Sequence, residues 1–247
     1  MSKKTESNSY TLLFAFGMVV IVGALLAFVA SSLKPTIDKN KRLEKKQNIL
    51  YAMGVNENQD EGDVTFVTAD NVANKFSKYI KKQLVIEGTK VTEDDNAFLI
   101  DIKKQQTNAK AGKVRKLPLF VGEKEGKTFY VAPIRGKGLW DAIWAYVALD
   151  KNMVIQGIFL DHAGETPGLG ANIKQRYFMD DFSGEQTITN NSFKGVVVAK
   201  GNNDPLNKDK TDNEIDAIAG ATITGDGVSA MIKSELKLYV PYFKTLQ

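Results

Sequence analysis

The chain has 247 residues, 43% of them hydrophobic, with a net charge of +4, one histidine and no cysteine. The hydrophobic share supports a sizeable core, and the length holds one large domain or two small ones. Without cysteine there is no disulfide framework, no cysteine-ligated zinc and no conventional iron–sulfur cluster held by this chain alone, and a single histidine excludes multi-histidine metal sites.

Residues 1–9 read as a short tail before an uncharged run from Ser7 to Leu33. A transmembrane helix is expected over 10–33. At about 1.5 Å per residue it spans a hydrocarbon core of roughly 30 Å, with membrane lipid as its surroundings. A cleaved signal peptide has a shorter apolar core of about 7–15 residues, and the stretches VAS and ASS are weak cleavage sites, so the span reads as an uncleaved anchor. Six basic and two acidic residues between Lys34 and Gln47 account for the whole net charge. The remainder is nearly neutral, which argues against a nucleic-acid surface. Lys3 and Lys4 precede the span and six basic residues follow it. Taken literally, the positive-inside rule places the large domain in the cytoplasm.

The segment 34–58 reads as a charged stalk helix, beginning near Pro35 and ending near Gly54. Ile37, Leu43, Leu50 and Tyr51 form a sparse apolar stripe along it. From residue 59 to 247 the pattern turns to β. Strands are expected at 64–69, 84–88, 97–102, 117–122, 128–134, 153–160 and 193–200, each a short apolar run bounded by polar or glycine-containing turns. Helices are expected at 139–149, at 171–182 and at 227–240. In the last, Val228, Met231, Ile232, Leu236 and Tyr239 share one face at helical spacing. Residues 201–214 form a polar loop. The class is α+β: a single N-terminal transmembrane helix followed by a mixed α+β domain.

Several stretches carry candidate chemistry. GEKEGKT, Gly122 to Thr128, is one residue short of a phosphate-binding loop, but no helix follows it, so it reads as a hairpin turn. GETPGLGA lacks the third glycine of a dinucleotide fingerprint. His162 has no G-x-S-x-G partner and reads as a polar loop histidine. Trp140 follows a Gly-x-Gly turn and, taken alone, reads as a core residue. The stretch IDAIAGATITGDGV, Ile215 to Val228, sets Thr222 and Thr224 at a helix start, where unpaired amides and the helix dipole favour anions. Either Thr224 caps the helix and Thr222 bonds locally, or the turn presents a hydroxyl to a phosphate.

DAIAGATIT, Asp216 to Thr224, resembles the D-x-x-(S/T)-G-A-T flavinylation motif of FMN-binding domains in respiratory flavoproteins. The resemblance implies FMN in phosphoester linkage to Thr222, which ends the G-A-T triplet after Gly220 and Ala221, with Asp216 as motif support. ETPGLGA, GKGLW and KKQNILYAMGV, after a single span, are similar to the C subunit of the sodium-translocating NADH:quinone reductase. That family implies an electron-transfer subunit, not self-contained, with the other subunits of the complex as partners and a flavin transferase for maturation. It further implies flavin contacts from Glu165, Thr166, Gly168 and Leu169 and from Gly138, Leu139 and Trp140. No catalytic residue beyond the flavin and no metal is implied. It places the FMN domain on the periplasmic side of the inner membrane, against the charge rule. Ala219 stands where the motif has serine or threonine, a loss of one auxiliary hydroxyl. The alternatives are the G subunit of an Rnf-type ferredoxin:NAD oxidoreductase and a flavin-free, membrane-anchored assembly protein. GLWDAIWAY and QNILYAMGV favour the quinone reductase.

Overall fold

The computed structural model describes residues 7–59, 62–201, 204 and 206–247. Residues 1–6 of the expected tail, with Lys3 and Lys4, lie outside the described residues, as do 202, 203 and 205 of the polar loop. The chain divides into two units, one ending at Arg42 and the other running from Leu43 to Gln247.

Helix α1 (Asn8–Ala52) is a single helix of 45 residues. Its most apolar 18-residue window has a mean hydropathy of 2.9 and none of it is buried, so the helix is long and apolar enough to cross a bilayer. It passes through Pro35 without ending, so no separate helix begins there. A proline deletes one backbone bond, and the helical runs on either side carry the helix across it. In the second unit the end of α1 is a core element. Ile49, Leu50 and Ala52 are fully buried, and the rings of Tyr51, Phe66 and Phe159 meet at 5.4–5.7 Å.

The core sheet has six strands: β1 (Ile80–Glu87), β2 (Lys90–Glu93), β3 (Lys116–Lys124), β4 (Lys127–Lys137), β5 (Ala142–Leu149) and β6 (Ile155–His162). Their spatial order is β2-β1-β3-β4-β5-β6, with every neighbouring pair antiparallel. The hairpin between β3 and β4 turns at Glu125 and Gly126, with φ of 52° and 75°. That is the primed two-residue turn favoured by strand twist, and GEKEGKT is the hairpin turn expected of it. On β6, a Cβ at Gly157 would come within 2.5 Å of the Ala52 carbonyl oxygen, so the strand packs its backbone against the end of α1.

Four of the expected elements take another form. Residues 139–149 are not a helix; they form the turn into β5, every residue of which is buried except the half-buried Trp144. A strand covered on both faces is apolar throughout, and its sequence does not alternate. Residues 64–69 are irregular and lead into α2 (Ala69–Tyr79), whose buried Val72 and Phe76 lie four apart on one face. Residues 97–102 hold a 3-10 turn, Ala97–Leu99, followed by α3 (Ile102–Lys110), capped by the Asp101 carboxylate accepting from the Lys104 amide at 3.1 Å. The expected strand at 193–200 falls into pieces: β8 (Ser192–Phe193) pairs with β7 (Ile188–Thr189), and β9 (Val197–Val198) pairs in parallel with β10 (Glu214–Ile215).

The segment 171–182 is helical but shorter, as a 3-10 turn, Gly170–Lys174, and α4 (Arg176–Asp180). Helix α5 (Thr222–Glu235) packs on β4, and a Cβ at Gly136 would come within 2.6 Å of the Met231 Cβ. Val228, Met231, Ile232, Leu236 and Tyr239 are all 2% exposed or less, the face that helical spacing predicts. A 3-10 turn, Leu236–Tyr239, and α6 (Val240–Phe243) close the chain.

Candidate functional site

Three segments singled out in the sequence meet at one place: the β4–β5 turn at 138–141, the loop after β6 at 163–169, and the turn entering α5. Glu165, only 4% exposed, joins them. Its Oε1 accepts from the Trp140 amide at 2.9 Å and the Asp141 amide at 3.4 Å. Its Oε2 accepts from the Thr224 hydroxyl at 2.6 Å. Burial raises the pKa of this carboxyl, but the Thr224 hydroxyl and the amides of Trp140, Asp141 and Leu139 outweigh it and hold the group below its ordinary value. A Cβ at Gly138 would fall 2.5 Å from Glu165 Oε1, and one at Gly170 would fall 2.6 Å from Oε2. The carboxylate is therefore boxed between two positions where its neighbours leave no room for a side chain.

The loop itself is a turn from Thr166 to Leu169, with the Leu169 amide donating to the Thr166 carbonyl at 3.1 Å. Pro167 supplies the fixed φ of the second position, and Gly168, at φ 76°, supplies the left-handed third, as a type II turn requires. Trp140 Nε1 donates to the Thr166 hydroxyl at 3.1 Å, tying the first segment to the second. Gly220, at φ 73°, lies against Leu169, whose Cδ2 would be 2.8 Å from a Cβ there, which ties the second to the third. His162 ends β6 and does not sit in a loop; its Nδ1 accepts from the Glu165 amide at 3.1 Å and helps shape the turn.

The two threonines separate clearly. Thr222 is exposed and is the first residue of α5. The preceding residue, Ala221, offers no side-chain cap, so the first-turn amides lack the partner a serine or aspartate supplies there. Thr224 is 1% exposed and does not cap the helix; its hydroxyl is given to Glu165, which sequence reasoning missed, along with the place of Gly170. A glutamate inside a glycine-rich loop was the available signal. Beside Thr222 lies a cleft of ≈ 170 Å³ lined by Val198–Lys200, Ala217–Thr222, Gly225 and Asp226, with Lys200 paired to Asp226 at 3.2 Å. Ala219 and Gly220 are exposed in its wall and Ala221 is buried; Asp216, one residue before the lining stretch, is half-buried, its amide donating to Asp181 at 3.2 Å.

Three large apolar side chains stand out from this surface: Leu139 is 43% exposed, Leu169 41% and Trp140 67%. Trp140 is thus not the core residue that its sequence context alone implies. Thr166 and Gly168 are exposed with them, and Gly138 is buried. An accessible hydroxyl beside uncapped helix amides suits a phosphate, and nearby apolar side chains without core partners suit a flat ring. The residues present fit FMN.

Comparison with known proteins agrees with this chemistry. Residues 138–237 match the FMN-binding domain family, a span that contains all three segments. The C subunit of the Na(+)-translocating NADH-quinone reductase of Haemophilus ducreyi is 29% identical over 92% of this chain and 89% of that protein. Its counterpart in Pseudomonas aeruginosa is 28% identical over 92% of this chain and 90% of its own length. Among solved structures, the C subunit from Parabacteroides distasonis is 30% identical, covers 85% of this chain and 96% of its own, and superposes with a TM-score of 0.72. NqrC from Shewanella oneidensis is 26% identical, covers 84% of this chain and 98% of its own, with a TM-score of 0.67. With its FMN-binding domain behind an apolar N-terminal helix, the chain belongs to the NqrC family, the C subunits of the Na(+)-translocating NADH-quinone reductases, an oxidoreductase complex.

Proposed function

We propose that this chain carries FMN in phosphoester linkage to Thr222 and relays electrons within a membrane-bound, sodium-translocating NADH:quinone reductase, with its FMN domain on the periplasmic side. The observation that carries the reading is the contrast between the two threonines. Thr222 is exposed at the start of a 14-residue helix whose first amides lack a side-chain cap, whereas Thr224 is buried and bonded to Glu165. Only Thr222 presents a hydroxyl that a modifying enzyme can reach. The helix dipole and unpaired amides then favour the phosphate that stays beside them.

When bound, FMN supplies one-electron transfer, and the protein supplies position and electrostatics. Leu139, Trp140 and Leu169 present apolar surface to the ring. The Thr166–Leu169 turn and the Gly138 turn bring backbone close to it. Asp216, tied through its amide to Asp181, shapes the approach to the motif. A threonine hydroxyl is a weak nucleophile, so attachment needs a flavin transferase. The named relatives are subunits of a multi-subunit reductase, which makes the other subunits the partners on either side of the relay. These relatives are not Rnf-type G subunits, and the intact G-A-T triplet argues against a flavin-free assembly role.

Peptide mapping by mass spectrometry of protein made with a flavin transferase tests the reading. FMN mass is expected on the peptide carrying Thr222 and absent from Thr222→Ala. FMN on Thr224, or retained in Thr222→Ala, overturns it.

A further inference from the structure

We infer that Glu165 is the positioning residue of this site: without touching the flavin, its carboxylate locks the 138–141 turn, the 165–169 turn and the start of α5 into one cradle and fixes a negative charge within it. The inference rests on the flavin site proposed above. It replaces the direct flavin contact that the family resemblance implies for Glu165.

A carboxylate offers about four lone-pair positions. Three donors converge on this one: the Thr224 hydroxyl at 2.6 Å and the amides of Trp140 at 2.9 Å and Asp141 at 3.4 Å, with the Leu139 amide adding to the field that favours the charge. With the group 4% exposed and Gly138 and Gly170 pressed against it, no face is left for a ligand. The donors come from two of the three segments, and Glu165 belongs to the third. Trp140, whose side chain faces solvent, is held through its own amide by this carboxylate, and the Asp141 amide fixes the other end of the turn that also carries the exposed Leu139. The orientation of the turn that carries these apolar side chains thus depends on a buried residue of another segment.

None of these partners is a lysine or arginine, so the charge is spread over dipoles and is not cancelled by an ion pair. A fixed anion near an electron carrier opposes the addition of an electron and lowers its potential. Glu165→Gln isolates that effect. Glutamine keeps the shape and one acceptor, and the Thr224 hydroxyl, which rotates, changes from donor to acceptor for the new amide.

Two measurements on the full-length protein in detergent decide the matter. In the flavin-free Thr222→Ala background, adding Glu165→Ala should speed hydrogen exchange of the Trp140 and Asp141 amides by about tenfold or more and shift Trp140 emission, while adding Glu165→Gln changes the Trp140 amide much less. Thr224→Val, which removes one donor of three and keeps the shape, should speed exchange by a smaller factor and serves if Glu165→Ala does not fold. In flavin-loaded protein, Glu165→Gln should keep FMN on Thr222 and move its midpoint potential upward. Unchanged exchange in both Glu165→Ala and Thr224→Val, or an unchanged potential in Glu165→Gln, overturns the inference. Peptide mass on the wild-type protein tests the flavin reading separately. Absence of FMN from Thr222 overturns that reading, while the exchange measurement, made without flavin, still supports or overturns the positioning role.

Discussion

Thr222 and Thr224 lie two residues apart in one helix, yet their substitution should have opposite consequences. Thr222 is exposed, and its hydroxyl contributes little to the fold, so Thr222→Ala should lose covalent flavin while unfolding within about 0.5 kcal/mol of wild type. Thr224 looks in sequence like a helix cap worth about 1 kcal/mol. Buried against Glu165, it is instead a donor to a charged group, and Thr224→Val should cost roughly 1–3 kcal/mol by denaturant titration. A second buried carboxyl, Glu185, is fully buried, and burial pushes its pKa from 4.5 up to about 7 even with Lys210 Nζ 3.3 Å away. Because the folded state then holds a proton that the unfolded state has released, stability is full below about pH 4.5 and falls as pH rises through 7. Glu185→Gln should flatten that fall, read as a smaller difference in melting temperature between about pH 5 and about pH 8. Glu165 acts in the opposite sense. Its pKa is depressed, so its contribution is present above the unfolded value of 4.5 and is lost as pH drops through the folded one.

At the scale of elements, one unpaired rung of the sheet shows how a distant helix completes a strand pair. The β3–β4 ladder runs from Lys124–Lys127 to Phe120–Val131 and stops before Pro118 faces Pro133. Counting back from the two-residue turn, that next site is one where both residues exchange amide bonds, and neither proline has an N–H to give. The Tyr239 hydroxyl takes their place, 3.1 Å from the Pro118 carbonyl and 3.2 Å from that of Pro133. Its burial drives the phenol pKa well above the ordinary range, so it remains a donor. Tyr239→Phe should cost roughly 1–3 kcal/mol, since two buried acceptors lose their shared donor; chemical denaturation measures it. The two prolines were visible in the sequence, but their partner was not, because the contact spans more than a hundred positions. Long-range pairing also explains where element assignment failed. AIWAYVAL serves equally as a helix or as a buried strand, and only its position between β4 and β6 decides. By contrast, the terminal helix was readable because its apolar positions repeat at 3.6 residues and its burial is one-sided.

For the whole molecule, the site was legible as three separate stretches because each carries its own turn chemistry: Gly138 before Leu139 and Trp140, Pro167 and Gly168 in a type II turn, Gly220 before α5. What joins them, a single buried carboxylate, was only half legible: a glutamate inside a glycine-rich loop stands out, but nothing in its sequence names the backbone and side-chain donors from two other segments that it accepts from. The side of the membrane on which this domain lies is likewise beyond local pattern. Six basic residues between Lys34 and Gln47 follow the span directly, and residues so close to a span do weigh on its orientation. Long domains, however, cross largely regardless of their own charge, and outside that stretch the chain is nearly neutral, so nothing beyond the stalk holds it back. The reading proposed above puts it on the periplasmic side. Alkaline phosphatase fused after Gln247 should therefore be active, and β-galactosidase fused at the same point inactive, since the first enzyme needs an oxidising compartment for its disulfides and the second does not fold across the membrane. A well-expressed, inactive phosphatase fusion together with an active galactosidase fusion would mean that the basic stretch governs the topology and that the domain after the span lies in the cytoplasm.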